Sequence, residues 1–122
     1  MVDVLVVDDE SPIRSLVAMV LRGAGLVVRT ASNGAEALRL VEEQMPSAIV
    51  LDRMMPVMTG DEFLLVARER GWQIPTILLS AYLENPLPTS VKPSRSMAKP
   101  FDPHQLLALV RELLDEPRPT LP

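Results

Sequence analysis

Four short runs with strand character each end on a residue capable of chemistry. Val4-Leu5-Val6-Val7 closes on the acid pair Asp8-Asp9, and Ala48-Ile49-Val50-Leu51 closes on Asp52. Ile77-Leu78-Leu79 closes on Ser80, and the shorter Ser96-Met97-Ala98 closes on Lys99. If the first and third of the chain's strands are neighbours, Asp8, Asp9 and Asp52 converge at one rim, where three carboxylates repel unless something positive joins them. Mg²⁺ suits such a place, because it takes oxygen ligands, keeps several waters and engages phosphates readily. Lys99 is informative through scarcity: of 12 basic residues only Lys92 and Lys99 are lysines. A compact ammonium on a flexible stem acts as a point charge toward a phosphoryl oxygen.

Each residue also has a plainer reading. Asp8-Asp9 alone could be an acidic cluster favoured by the helix dipole ahead of Pro12. Ser80 alone reads first as a cap, and Lys99 alone as an ordinary exposed lysine. The recurrence of such residues at strand ends favours a site. His104, the single histidine, sits near the start of the last helix and reads as solvated. Met54, Met55 and Met58 read as loop and core packing. Trp72, just after Gly71, reads as cover for a helix end.

The elements that must position these residues alternate in type. After Val4–Val7, Ser11 is a candidate N-cap with Pro12 at the first helical position. Ile13, Leu16, Val17, Val20 and Leu21 then mark one helical face that Gly23 and Gly25 stop. Val27–Ala31 is a second strand, and Arg29 and Thr30 suit a sheet edge. Ser32-Asn33-Gly34 opens a second helix through Ala37, Leu38 and Val41. Ala48–Leu51 leads through the Asp52 loop, with Pro56 and Gly60 as turn residues, to a third helix near Asp61–Arg70. Thr76–Leu79 is the fourth strand and Ser96–Ala98 the fifth. The last helix carries Leu106, Leu107, Val110, Leu113 and Leu114 on one side. Strands buried on both faces and alternating with helices predict an α/β fold with a parallel sheet and right-handed crossovers.

Bulk properties narrow the class. The 122 residues form one domain, residues 1–116, with a Pro-rich tail or linker start at 117–122. Hydrophobic residues make up 48% and aromatics 3%, so the core is aliphatic. A net charge of −4 without a basic block argues against direct nucleic-acid binding. The absence of cysteine excludes disulfides and thiolate chemistry and fits a cytoplasmic setting. Neither a signal-peptide layout nor a membrane-length apolar run is present.

Taken together, Asp8-Asp9, Asp52-Arg53-Met54-Met55-Pro56-Val57-Met58-Thr59-Gly60, Ser80-Ala81 and Lys99-Pro100-Phe101 resemble the receiver domain of two-component response regulators over Val4 to about Leu114. The resemblance implies a flavodoxin-like three-layer sandwich with a five-stranded parallel sheet in the order 2-1-3-4-5. It implies Asp52 as phosphoryl acceptor, with Asp8, Asp9, Asp52 and the Met54 backbone carbonyl holding Mg²⁺. Ser80 and Lys99 would contact the phosphoryl group, and the Lys99–Pro100 peptide would be cis. Met54 and Tyr82 would flank the acceptor and tune the lifetime of the phosphorylated state. The implied partners are a sensor histidine kinase or phosphotransfer protein and a downstream effector or covalent output domain, with room for a homodimer. A switch is expected rather than a turnover enzyme. The alternatives are a pseudo-receiver acting only by protein binding and an aspartate-nucleophile phosphatase or transferase of another α/β family. The latter would need Asp-x-Asp where this chain has Asp8-Asp9.

The chain departs from the pattern between Ala81 and Ala98, which is short and carries Pro86, Pro88 and Pro93. A Pro inside a helix costs roughly 3 kcal/mol. The expectation is a proline-stiffened loop over Leu83–Arg95 and a missing or degraded fourth helix. The family's switch aromatic, three residues before the lysine, is Ser96 here, and the usual Gly-Ala turn before the last strand is absent.

Overall fold

The computed structural model describes residues 3–81 and 93–115. Its elements are β1 (Asp3–Val7), α1 (Ser11–Gly23), β2 (Val27–Ala31), α2 (Gly34–Glu43), β3 (Ala48–Asp52), α3 (Gly60–Glu69), β4 (Thr76–Ser80), β5 (Arg95–Ala98) and α4 (Pro103–Asp115). The strands form one parallel sheet in the order β2-β1-β3-β4-β5. This is the flavodoxin-like arrangement, and in it β1 and β3 are neighbours.

Period-two alternation in the central strands explains the layers. Val4 and Val6 face one side with Val17, Leu21, Val50, Leu79, Leu106 and Val110, a core beneath α1 and α4. Leu5 and Val7 face the other with Ala37, Val41, Ile49, Leu51, Phe63 and Leu78, a core beneath α2 and α3. β1, β3 and β4 are buried throughout, whereas β5 alternates half-buried and exposed residues as an edge strand does. Leu107 and Leu114 are only partly buried beside the fully buried Leu106, Val110 and Leu113.

Helix starts show where local chemistry operates. Asn33 caps α2 by accepting from the Glu36 amide at 2.9 Å. Thr59 opens α3 with a reciprocal capping box: its hydroxyl accepts from the Glu62 amide at 3.1 Å, and the Glu62 carboxylate accepts from the Thr59 amide at 2.9 Å. At α1 the expected cap shifts by one residue. Ser11 is already helical, and Glu10 is the N-cap, without a side-chain bond to the helix. The Glu10 amide instead donates to Asp8 Oδ1 at 2.9 Å, so the acidic loop closes on itself before the helix begins.

Arg29 does more than mark an edge. Its guanidinium donates to Asp3 Oδ2, to the Leu40 carbonyl and to the Gln44 carbonyl, tying β1 and β2 to the end of α2. The Leu40 carbonyl also accepts from the Gln44 amide at 3.1 Å, and the Gln44 carbonyl, at the C-cap of α2, is a natural acceptor for a cation. Trp72 packs against the second core, with the Arg70 guanidinium 5.1 Å from its ring centre.

Four helices are present among the described residues. The expected loop at Leu83–Arg95 falls outside the description as far as residue 92. Arg95 contradicts it, since it pairs with Ile77 and begins β5. The Ser94 amide donates to the Thr76 carbonyl at 2.9 Å, and this registry draws the strand start earlier than its polar residues suggest. Tyr82 and the tail beyond Asp115 also lie outside the described residues. No helix among the described residues is long and apolar enough to cross a membrane.

Candidate functional site

The register of β1 and β3 pairs Val7 with Leu51, so the residues that follow, Asp8 and Asp52, leave adjacent strands side by side. Both are buried, Asp8 to 1% and Asp52 to 3% relative exposure. Asp9 and Glu10 are exposed in the loop after β1. One carboxylate oxygen from each of Asp8, Asp9, Glu10 and Asp52 lies within 4.8 Å of all the others. Sequence reasoning identified three of these four. Glu10 is the one it misses, although direct continuation from Asp8-Asp9 is an available signal.

Lys99 reaches this cluster from the end of β5. Its Nζ lies 3.1 Å from Asp8 Oδ2, 3.1 Å from Asp52 Oδ1 and 3.4 Å from Glu10 Oε1. The Lys99 amide donates to the Ser80 carbonyl at 2.9 Å, fixing the base of the side chain against β4. The Lys99–Pro100 peptide is cis.

Burial, then the adjacent Asp8 charge, pushes the Asp52 pKa up to about 7, against the opposing pull of Lys99. For Lys99, burial works against the charged form, but Asp52 and Asp8 outweigh it and hold the pKa above its ordinary value. The ammonium is therefore charged at neutral pH, and the carboxylate cluster carries more negative charge than one lysine offsets.

The surrounding loops are held in place. The Asp8 amide donates to the Ala31 carbonyl at 3.1 Å, and Arg14 Nη1 donates to the Asp8 carbonyl at 2.8 Å. The Met54 amide faces Asp52 Oδ1 at 3.4 Å. Met54 itself is 61% exposed, whereas Met55 is buried and Met58 packs against the second core. Gly60 must be glycine, because a Cβ there would sit 2.6 Å from the Asp52 carbonyl oxygen and 2.9 Å from Arg53 Cα. Ser80 is buried at the end of β4, one residue past Leu79, the partner of Asp52. His104 is exposed, its amide donating to Asp102 Oδ1 at 2.8 Å. Asp8, Asp9, Asp52 and Lys99 thus meet, with Ser80 on the neighbouring strand end and Met54 in the loop beside them.

The acidic cluster, bridged by one lysine, lies at the carboxyl rim of the parallel sheet, where open α/β sheets bind their ligands. Known proteins carry the same arrangement of sequence and fold. A family model for the response regulator receiver domain matches residues 4–111. A 14.6 kDa protein of Leptolyngbya boryana is 36% identical over 115 residues, covering 90% of this chain and 88% of that protein. The alkaline phosphatase synthesis transcriptional regulatory protein PhoP of Bacillus subtilis is 36% identical over 114 residues. There the match covers 91% of this chain but 48% of the regulator, so this chain spans about half its length. Among solved structures, the Vibrio cholerae chemotaxis response regulator CheY4 superposes with a TM-score of 0.85 at 33% identity, covering 93% of this chain and 98% of that one. The Francisella response regulator 1452 receiver domain gives 0.86 at 30% identity, covering 93% of this chain and 97% of that one.

Proposed function

The chain belongs to the response regulator receiver domain family, and from that premise we propose that it is a phosphorylation switch of two-component signalling with Asp52 as its phosphoryl acceptor. The observation that carries this reading is the Lys99 ammonium shared between Asp8 and Asp52 at 3.1 Å each, on the edge of a four-carboxylate cluster. Asp52 is thereby bracketed by a fixed cation on one side and by oxygen donors on the other.

The residues fit Mg²⁺. The donor set is all oxygen, one atom from each of Asp8, Asp9, Glu10 and Asp52 within 4.8 Å of the others, which suits a hard dication. Asp8, Asp9 and Asp52 would hold the ion together with the Met54 backbone carbonyl. Bound there, it would offset charge on the phosphoryl oxygens as they approach the carboxylates.

An Asp52 carboxylate oxygen attacks phosphorus in line. The oxygen–phosphorus bond forms as the bond from phosphorus to the donor's leaving atom breaks. The leaving atom takes its proton from solvent, and the product is an acyl phosphate. Lys99 exchanges its contact with Asp52 for one with a phosphoryl oxygen, and the Ser80 hydroxyl donates to another. The donor is a phosphohistidine on a sensor histidine kinase or phosphotransfer protein. Added charge at the rim then biases a two-state surface that an effector protein or covalent output domain reads. The chain acts as a switch and releases no product of its own. We assign it to the cytoplasm, without direct nucleic-acid binding by this domain.

Intact mass spectrometry after incubation with Mg²⁺ and acetyl phosphate tests the proposal. Gain of one phosphoryl group by the native chain, and none by Asp52→Asn, is expected. A native chain that gains no mass, although folded and Mg²⁺-bound, would instead be a pseudo-receiver acting by protein binding alone.

A further inference from the structure

Arg53 is a charged residue buried beside the acceptor. Its side chain is 10% exposed, against 26% for Asp61, its ion-pair partner. Arg53 Nε lies 3.1 and 3.4 Å from the two Asp61 carboxylate oxygens, and Nη2 lies 3.3 Å from Oδ2. Such a fork fixes orientation as well as charge. Asp61 is firmly placed, in the first turn of α3 where the dipole favours an acid, behind the Thr59–Glu62 capping box. The main chain adds two ties: the Arg53 amide donates to the Leu79 carbonyl at 2.9 Å, and the Gly60 amide donates to the Arg53 carbonyl at 2.8 Å. One residue therefore joins the exit of β3 to both β4 and α3. Between these ties the chain makes a tight turn at Val57, φ 69°, where the Met58 amide donates to the Pro56 carbonyl at 2.7 Å. A β-branched residue keeps a positive φ only when its surroundings impose it.

We propose that Arg53 is a positioning residue of the metal site. Its fork on Asp61 holds the path of residues 53–55, so that Asp52 and the Met54 carbonyl meet Mg²⁺ in a single arrangement. This rests on reading the carboxylate cluster as a Mg²⁺ site. Electrostatics alone predicts the opposite effect: Arg53 sets a positive charge beside a cation site, and its removal should tighten binding. Positioning predicts weaker binding, and loss of such supporting partners typically costs about 10–100-fold in metal affinity.

Calorimetric titration of the metal-free chain with MgCl₂ separates the two for native protein, Arg53→Leu and Arg53→Lys, with circular dichroism and thermal melts reporting folding. The expected result is binding at least about 10-fold weaker for Arg53→Leu. Arg53→Lys should fall between it and the native chain, since it keeps the charge without the fork. Equal or tighter binding by a folded Arg53→Leu overturns the proposal. Should that variant fail to fold, Arg53→Lys decides, and native affinity there overturns it equally. No Mg²⁺ binding by the native chain would refute the metal-site reading itself, an outcome distinguishable from failure of the positioning role.

Discussion

Hydrolysis of an acyl phosphate on Asp52 requires a water in line with the oxygen–phosphorus bond, so side chains flanking that path set the lifetime. Met54 is exposed two residues after Asp52, and neither it nor Tyr82 offers a carboxylate or amide to orient the water. A long-lived phosphorylated state is expected, and the double variant Met54→Asn, Tyr82→Glu should lose its phosphoryl group several-fold faster by timed mass spectrometry. Equal decay would remove both residues from this role. Asp9 answers a different question. It is exposed, so Asp9→Ala should leave the fold intact and chiefly weaken Mg²⁺ binding, read by titration. Strand-end acids and the lysine were legible in the sequence because each closes an apolar run. The Arg53–Asp61 pair was not, because its members are eight residues apart across a loop whose closure no local pattern announces.

Among the elements, the loop joining β3 to α3 carries most of the constraint. Gly60→Ala would press a methyl group against the backbone of Asp52 and Arg53, which cannot retreat as a flexible side chain would. A loss of about 1–3 kcal/mol in denaturant unfolding is expected, with weakened Mg²⁺ binding beside it. Val57→Gly should do the reverse for stability, because glycine relieves the positive φ, a gain on the order of 1 kcal/mol. An unchanged midpoint in either variant would show that the loop relaxes more freely than its hydrogen bonds imply. The strands were legible from aliphatic runs whose two faces both meet helices, and α2 from the Asn33 cap. Element ends were less legible. Ser11 has the chemistry of a cap, yet Asp8 captures the Glu10 amide and sets the helix start one residue earlier. Arg95 looks like loop by composition, and only its pairing with β4 makes it strand.

For the whole molecule, the buried Asp52 carboxylate gives stability a pH dependence of definite sign. Asp52 has a folded-state pKa raised to about 7, above the ordinary carboxylate value of 3.8, so the folded chain holds its proton more tightly than the unfolded chain does. Stability from this group is greatest below the unfolded value and declines as pH rises toward 7. Lys99 is raised from an already high value, so its contribution does not change in that range. Thermal melts of metal-free protein should therefore report more Asp52-linked stability at pH 5 than at pH 8. Mg²⁺, which takes the ionised carboxylates, should stabilise more at pH 8. Asp52→Asn should flatten both trends, and a native-like slope in that variant would assign the titration elsewhere. Alternation of strands and helices was readable from the residues, whereas the strand order, and with it the meeting of β1 and β3 at the rim, was implied only by the resemblance to receiver domains. How a signal leaves the molecule was not, because Ser96 replaces the expected aromatic and the segment after Ala81 has no sequence pattern of regular structure.

The most direct measurement locates the phosphoryl group. Protein incubated with Mg²⁺ and acetyl phosphate is treated with borohydride, which reduces an acyl phosphate at its carbonyl, and is then digested and sequenced by mass spectrometry. The reduced residue should be Asp52, and it should disappear when Mg²⁺ is chelated beforehand. Reduction at Asp8 or Asp9, a phosphate retained on Ser80, or reduction at Asp52 to the same extent without Mg²⁺ would contradict a metal-assisted phosphoryl acceptor at the end of β3.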